Sequence, residues 1–325
     1  MRKGHDTMTR PLKDYAQWDQ PVHEWDDVES FVASENLADG VHAIALGDGT
    51  VVDLLLIGDP LAASEHAYLL TFFSGAVGDR TETRGPYFSG VGMARRLKMP
   101  LVAVADPGLA VDGDLRLAWY AGSLTNNLQD VTAHILRSLS DRAGRPLLML
   151  GGSGGGFAAL AQAERLGQRS AAVVWNPQTS ILHYNRTSVR EYLRTLGFST
   201  TLVNGTTWIE DVATKTGSRI QLSLLGSGRV EDTESVLYLQ NRSDWHRKHH
   251  LDPWLNHNRW LERAAPGTAE VYARDNRHAV IVADLAEGHA PPSGRVIGDV
   301  ITRMQTGSAT PRGIADSIAE NLSKK

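Results

Sequence analysis

The chain has 325 residues, of which 42% are hydrophobic and 22% are charged, and this composition is that of a globular protein rather than a disordered, collagenous or coiled-coil one. The formal net charge is −4 at pH 7. Because the basic residues are scattered, no surface that neutralises many phosphates is expected, and nucleic acid is not a predicted partner. The chain has no cysteine, which excludes disulfides, thiolate metal sites and a cysteine nucleophile together.

The N-terminal residues do not resemble a targeting signal. MRKGHDTMTR is basic, but PLKDYAQWDQ follows it and lacks the apolar core of a signal peptide. No stretch approaches the roughly 18 apolar residues that a membrane span requires. We therefore expect a cytoplasmic protein without a membrane span.

Short apolar runs alternate with longer amphipathic stretches, which predicts alternating strands and helices. In chain order, we predict strands at Val41–Ala45, Val51–Ile57 and Ala67–Phe73, a helix at Pro86–Leu97, a strand at Leu101–Ala105, a helix at Asn127–Arg142, a strand at Leu147–Leu150, a helix at Phe157–Leu166 ending at Gly167, and strands at Ala171–Trp175, Val236–Gln240 and Ala279–Ala283. Several strands are apolar throughout, which favours a sheet buried on both faces. The pattern predicts an α/β fold with a doubly wound, mostly parallel sheet.

The alternation of predicted strands and helices also suggests how the chain is divided into parts. Residues 1–50 are expected to add strands at the entry to the sheet, and residues 51–175 and 227–325 to form the core. The stretch 176–226 is longer than the usual connection in such folds, so we predict an inserted cap or lid there.

A Gly-rich turn carries the strongest motif. The sequence PLLMLGGSGGGFAALAQAERLG places Ser153 in the pattern G-x-S-x-G, between a predicted strand and a predicted helix. A nucleophilic serine has to occupy such a strained turn, and the backbone N–H of Gly154 would stabilise the anion formed when the serine attacks a carbonyl. The alternative is a turn that only connects the two elements or cradles a phosphate. No Walker lysine follows, however, and Phe157 replaces the last glycine of a dinucleotide-binding motif counted from Gly152.

The loops after the last two predicted strands hold an acid and a histidine. Asp244 and His289 follow Ser153 in the order expected for a serine hydrolase triad. His289 would accept the proton of Ser153, and Asp244 would hold the imidazole in the required tautomer. Asp252 and Asp284 lie in the same two loops and are the alternative acids.

The second half of an oxyanion hole is expected after an early strand. The segment Leu70–Val77 fits that place, and we predict a backbone N–H of Gly75 or Ala76 as the donor. The alternative is that Ser74 and Gly75 form only a tight turn.

A histidine-rich segment follows Asp244. We predict that His246 and His249 contact the substrate at the rim of the site. Clustered His and Asp also suggest a zinc site, but H-E-x-x-H is missing, so neither a metal nor another cofactor is predicted. Most of the later tryptophans are expected in the core, although aromatic walls also bind sugars: Trp175, Trp208, Trp245, Trp254 and Trp260.

With the elbow serine, the acid and the histidine in this order, roughly Val51–Val300 resembles the α/β-hydrolase superfamily. Within it, four segments are similar to the hydrolase-like accessory secretion proteins that assist export of bacterial serine-rich adhesins: Phe73-Ser-Gly75, Gly85-Pro-Tyr-Phe88, Val104-Ala-Asp106-Pro-Gly-Leu109 and Trp119-Tyr-Ala-Gly-Ser123. Those proteins are implicated in acetylating glycans on the adhesin. The resemblance therefore implies acyl transfer directed at carbohydrate.

Together these features predict a serine-dependent acyl-ester hydrolase or acyltransferase that works through an acyl-enzyme on a small-molecule or carbohydrate ester. One alternative is a catalytically silent hydrolase-like module in a glycan-synthesis or secretion machine. Another is a metal-dependent hydrolase that uses His246 and His249.

Overall fold

One large β-sheet runs through the computed structural model, which describes residues 12–197, 199, 201, 207–216, 220–227, 229–263, 265 and 267–324. Within these residues the strands are β1 (Val22–Trp25), β2 (Gly40–Ala45), β3 (Val51–Ile57), β4 (Leu69–Phe73), β5 (Leu101–Val104), β6 (Leu147–Gly152), β7 (Ser170–Trp175), β8 (Ser235–Asn241), β9 (Leu261–Arg263), β10 (Glu270–Ala273) and β11 (His278–Ala283). Their order across the sheet is β1-β2-β3-β5-β4-β6-β7-β8-β11-β10-β9.

The centre of the sheet is parallel, and both sides are mixed. Parallel pairing joins β5, β4, β6, β7, β8 and β11 in succession. On one side β3 pairs antiparallel with β5 and β2, and β1 then pairs parallel with β2. On the other side β10 is antiparallel to both β11 and β9. The prediction of a mostly parallel sheet is confirmed, and each predicted strand is present with its ends shifted by at most two residues.

Helices cover both faces of this sheet. Those in the described part of the chain are α1 (Val28–Ala33), α2 (Val91–Leu97), α3 (Leu128–Ala143), α4 (Ser153–Leu166), α5 (Arg186–Thr195), α6 (Trp208–Thr216), α7 (Asp252–His257), α8 (Gly294–Gln305) and α9 (Pro311–Ser323). None of them combines the length and the apolar character needed to cross a bilayer. The described part of residues 176–226 contains α5 and α6, and its role as a cap stays a prediction, as does the division into 1–50, 51–175 and 227–325.

Two predicted helix starts are wrong. The helix predicted from Pro86 begins at Val91, because Gly90 adopts φ 90° and a helix cannot continue back through a left-handed residue. The helix predicted from Phe157 begins at Ser153, since the glycines after the serine are themselves helical. The prediction that this helix ends at Gly167 is confirmed.

The core lies on both faces of the sheet, as the apolar strands predict. Alternate residues of β3 face opposite sides: Leu54 belongs to the core layer that includes residues of α3 and α4, and Leu55 belongs to the layer that includes residues of α2, α8 and α9. Both leucines are fully buried. The residues Leu147–Leu150 of the central strand β6 are also fully buried on both faces, so the loop at its carboxyl end is presented from a rigid base.

Candidate active site

Ser153 occupies a strained turn between β6 and α4. Its φ is 53°, a left-handed conformation that costs a non-glycine residue about 1–3 kcal/mol and persists only where the surroundings impose it. The residue before it, Gly152, gives α4 no side-chain cap. The first N–H groups of the helix are therefore not occupied by a capping side chain.

The glycines after the serine are required by close packing. A Cβ on Gly154 would collide with the side chain of Leu117, and one on Gly155 would lie 2.5 Å from the carbonyl oxygen of Phe73. These contacts bring the start of α4 against the end of β4. The loop that follows β4 is thereby held beside Ser153.

Asp244 and His289 form a hydrogen-bonded pair at the carboxyl ends of β8 and β11. Nδ1 of His289 lies 2.7 Å from Oδ2 of Asp244. Because an ionised carboxylate can only accept, Nδ1 is the protonated nitrogen and Nε2 is left as the acceptor. The Asp244 side chain is fully buried, whereas that of His289 is 39% exposed.

The ionisation of Asp244 is supported by its hydrogen bonds. Burial acts to raise the pKa of this carboxyl, but the hydrogen bonds from His289 and from the backbone N–H of His246 outweigh burial, so the pKa lies below its usual value. The N–H of His246 donates to Oδ1 at 3.0 Å. Both carboxylate oxygens are therefore paired, and the acid is held in one orientation toward the imidazole.

Ser153 and His289 line one cavity of about 590 Å³. Gly75 and Ala76 line it too, on the side of the loop that follows β4. In the described part of the chain no hydrogen bond joins Ser153 to His289; such bonds are often long in a free site and shorten when substrate binds. The cavity therefore places a serine, an imidazole and two loop residues around one space, and their chemical roles stay predictions.

Gln178 contacts the serine directly, which the sequence analysis does not predict. Its Nε2 donates to Oγ of Ser153 at 3.3 Å, and its backbone N–H donates to the serine carbonyl at 3.1 Å. Nε1 of Trp119 donates to the other end of the Gln178 amide, which fixes the amide orientation. A usable signal was present, since Gln178 comes three residues after a predicted strand whose carboxyl end lies at this edge.

Two asparagines hold the loop that carries His289. Nδ2 of Asn241 donates to the carbonyls of Gly288 and Ala290, at 2.8 and 2.6 Å. Oδ1 of Asn176 accepts from the backbone N–H of Asn241 at 2.8 Å. The residues on both sides of His289 are thus tied to the end of β8, the strand that leads to Asp244.

The loop after β4 is held in place by hydrogen bonds of Ser74. The backbone N–H of Ser74 donates to the hydroxyl of Tyr120 at 2.7 Å, and Oγ of Ser74 donates to the carbonyl of Tyr87 at 2.9 Å. A Cβ on Gly75 would lie 3.2 Å from the carbonyl oxygen of Gly152. Gly75 therefore lies directly against the elbow that carries Ser153.

The predicted rim histidines occupy different places. His246 is completely buried and lies behind His289, with ring centroids 4.1 Å apart, so its predicted position at the rim is wrong. Burial and the neighbouring His289 lower the pKa of His246 to about 4, so this ring is neutral at pH 7. His249 lies beside Trp245, at 5.3 Å between ring centroids, and is not among the residues that line the cavity with Ser153.

The alternative acids face other partners. Asp284 is exposed and lies 3.5 Å from Nε of Arg242, and Asp252 lies 4.0 Å from Nε of Arg247. Neither carboxylate makes a described hydrogen bond to His289. Of the three acids considered, the structure brings Asp244 to the imidazole.

A metal could find three donors here. One ligand atom each from Asp244, His246 and His289 lies within 4.8 Å of the others. His249 is not in this group, and the hydrogen bond between Asp244 and His289 already uses two of the donor atoms. The donor set is thus smaller than the closed four-ligand sites typical of structural zinc.

The later tryptophans divide into two groups. Trp208, Trp254 and Trp260 are buried, as predicted. Trp175 lines the cavity with Ser153, whereas Trp245 is 44% exposed and lines a neighbouring groove. Exposure of a large aromatic ring next to the site is not predicted from spacing.

No protein-family model matches the sequence, and no curated protein matches it significantly. Among solved structures, a capsule O-acetyltransferase of Neisseria meningitidis serogroup A is similar with 13% identity and a TM-score of 0.53 over 84% of this chain and 99% of that one. The wild-type protein AbyA5 is similar with 15% identity and a TM-score of 0.51 over 86% of this chain and 71% of that one. At these identities the similarity concerns the fold. Together with the parallel central sheet and the serine turn after β6, it shows that the chain has the α/β-hydrolase fold.

Proposed function

We propose that this protein is a serine-dependent acyl-ester hydrolase or acyltransferase that forms an acyl-enzyme on Ser153 and acts on acylated carbohydrate. One observation carries the proposal. His289, which is hydrogen-bonded at 2.7 Å to the buried Asp244, lines the same cavity as the strained Ser153. A histidine held by a carboxylate, beside a serine on a strand-to-helix turn, is the arrangement that activates a hydroxyl for attack on a carbonyl.

The first half of the reaction forms the acyl-enzyme. Oγ of Ser153 attacks the ester carbonyl carbon while its proton passes to Nε2 of His289, and the resulting imidazolium is stabilised by Asp244. The tetrahedral intermediate collapses when the C–O bond to the leaving alcohol breaks, and His289 returns the proton to that alcohol. In the second half, water or another hydroxyl attacks the acyl-enzyme by the same steps in reverse order.

The negative charge of the tetrahedral intermediate needs donors on the opposite side from the histidine. The N–H of Gly154 is at the uncapped start of α4, and the N–H groups of Gly75 and Ala76 are in the loop that packs against the elbow. We assign the oxyanion hole to these groups. Gln178, whose Nε2 already donates to Oγ of Ser153, would position the serine.

The carbohydrate part of the proposal is supported by two features. The four segments similar to the accessory secretion proteins imply a glycan as acceptor, and an exposed tryptophan lies beside the site. The similarity in fold to a capsule O-acetyltransferase is compatible with acyl transfer to a sugar hydroxyl.

A fluorophosphonate probe tests whether Ser153 is activated. We expect intact-mass spectrometry to detect one label on the wild type and none on Ser153→Ala, because only an activated serine attacks the probe. Ser64→Ala, which changes an exposed serine elsewhere, should label like the wild type. Folded wild-type protein that takes no label would favour the silent binding module instead.

Chelation tests the metal-dependent alternative. Since the proposed mechanism has no metal step, turnover of short acyl esters should be the same with and without excess EDTA. Activity that disappears with EDTA and returns with zinc would assign Asp244, His246 and His289 to a metal site.

A further inference from the structure

A second cavity adjoins the catalytic one. We call it the Trp245 groove; it has a volume of about 570 Å³, and the residues of its wall that matter here are Tyr184, Trp208, Trp245, Lys248 and His249. Tyr184 also lines the cavity with Ser153 and His289. The two cavities are therefore neighbours that meet at Tyr184.

The groove presents aromatic faces. The rings of Tyr184 and Trp245 are stacked, with centroids 5.7 Å apart and an interplanar angle of 27°. Trp245 stays 44% exposed although it contacts four other rings. An exposed aromatic face beside polar groups is the surface on which the C–H face of a sugar ring stacks.

The lining of the groove carries a positive charge. Lys248 lies in its wall, and the guanidinium of Arg186 stands 5.5 Å from the ring of Trp208 in the same wall. Among the described residues that line the groove there is no carboxylate. A negatively charged occupant is favoured over a neutral or positive one, because opposite charges meet across the contact.

The groove lies close to the reacting atoms. The ring of Tyr184 is 5.9 Å from that of His246, which is 4.1 Å from that of His289. His246 is buried, so the connection that a ligand could follow is past Tyr184, which lines both cavities.

From these observations we infer that the Trp245 groove is a subsite for the saccharide unit next to the acylated one, and that this unit carries a negative charge. The inference rests on the proposed function, since it takes the acylated unit to lie at Ser153. Trp245 would stack on the ring, and Lys248 would pair with its carboxylate or other anionic group.

Binding can be measured without turnover. We would use the folded Ser153→Ala protein, with tetragalacturonate as the anionic probe and xylotetraose as the neutral one, and follow binding by calorimetry. We expect tetragalacturonate to bind more tightly. In this background, Trp245→Ala should weaken its binding about tenfold, equivalent to about 1.4 kcal/mol, and Trp245→Phe should restore most of that loss.

Charge reversal separates stacking from ion pairing. Lys248→Glu should weaken binding of tetragalacturonate several-fold, leave xylotetraose binding nearly unchanged and reduce the salt dependence. Leu261→Ala and Lys324→Glu, which change an exposed apolar residue and a lysine outside the groove, are the matched controls. Equal thermal midpoints would show that the variants are folded.

Three outcomes would overturn the inference. In the first, neither tetrasaccharide binds. In the second, the Trp245 and Lys248 variants bind the tetrasaccharides as the parent protein does. In the third, Trp245→Ala loses binding of coenzyme A but keeps binding of the saccharides. Tighter binding of xylotetraose than of tetragalacturonate would contradict the inference that the bound unit is negatively charged. Because these measurements use a protein without Ser153, failure of the proposed catalysis would appear separately, as absent fluorophosphonate labelling of the wild type.

Discussion

Asp244 shows how much the chemistry of a single residue depends on its two hydrogen bonds. One oxygen accepts from the backbone N–H of His246 and the other from Nδ1 of His289. Because the side chain is fully buried, loss of either bond would leave a polar atom unsatisfied in a place that water does not reach. The residue therefore orients His289 and stabilises its charged form at the same time.

Substitution of this acid tests its assignment. Asp244→Asn keeps the shape but can present an amide N–H to Nδ1 of His289, which favours the wrong tautomer, so we expect kcat to fall by about 10³–10⁴-fold. Asp284→Asn, at the exposed acid paired with Arg242, should change kcat less than about twofold. Steady-state kinetics on a short acyl ester measure both. If Asp284→Asn lowered kcat more than Asp244→Asn does, Asp284 would be the catalytic acid instead.

At the residue scale, sequence reasoning finds groups that occur in a motif and misses those that occur by contact alone. Ser153, Asp244 and His289 could be proposed because each follows a strand in a known order. Gln178 and Asn241 could not be assigned partners, since their contacts cross 25 to 49 residues of chain and depend on how loops pack. The same limit explains why the sequence predicts His246 at the rim, whereas the structure has it behind His289.

At the scale of elements, α4 links the elbow to Gln221 of the predicted cap and to Ser227, the residue just after the cap. Its Glu164 is buried, and its two carboxylate oxygens accept from Ser227 at 2.9 Å and from Gln221 at 3.1 Å. Burial raises the pKa of Glu164 to about 7, against the two hydrogen bonds, which lower it. The helix that begins at Ser153 therefore carries a group that titrates near neutral pH.

This group predicts a pH dependence of stability. The folded state holds a proton on Glu164 up to about pH 7, whereas the unfolded chain releases it near pH 4.5, so the free energy of unfolding falls as pH rises between these values. The loss amounts to about 3 kcal/mol. Glu164→Gln, whose amide can donate to the hydroxyl of Ser227, should be more stable than the wild type at pH 8 and similar near pH 5.

Urea unfolding at pH 5 and pH 8 measures this difference. Glu320→Gln, an exposed change in α9, should leave the pH dependence as it is in the wild type. If Glu164→Gln keeps the full dependence on pH, another buried acid is responsible. Asp106 is then the next candidate, because burial raises its pKa to about 6.

Elements in the middle of the sheet could be predicted, and those at its edges could not. Central strands such as β6 and β8 are apolar runs that must be buried on both faces, so composition alone identifies them. β1, β9 and β10 have only 4, 3 and 4 residues, at or near the sheet edges, and their polar residues give no distinct pattern. The predicted starts of α2 and α4 are wrong because glycine permits both a turn and a helix.

At the scale of the whole molecule, the segment before β1 connects the sheet to the site. Asp14 donates its N–H to the carbonyl of Gly85 at 2.6 Å, and Tyr87, two residues further on, accepts from Oγ of Ser74 in the loop beside the elbow. On its other side, Lys13 pairs with Asp53 of β3 at 2.5 Å. Residues far from Ser153 in the sequence thus support the loop assigned to the oxyanion hole.

The Lys13–Asp53 pair joins this segment to β3 through a buried carboxylate. Asp53 is buried, and burial raises its pKa while Lys13 acts in the opposite direction. Lys13→Met would leave the buried carboxylate with Tyr15 as its described side-chain partner, at 2.9 Å, so we expect a loss of about 3–5 kcal/mol of stability at pH 8. The loss should shrink as pH falls, since the raised pKa lets Asp53 take up a proton and become neutral.

Adding Asp53→Asn to Lys13→Met should recover most of the stability, and Lys215→Met, at an exposed lysine in α6, should cost little. Urea unfolding of the four proteins at pH 5 and pH 8 tests the argument; a Lys13→Met loss that the added Asp53→Asn change does not reduce would mean that packing of the lysine stem, rather than its charge, anchors the segment.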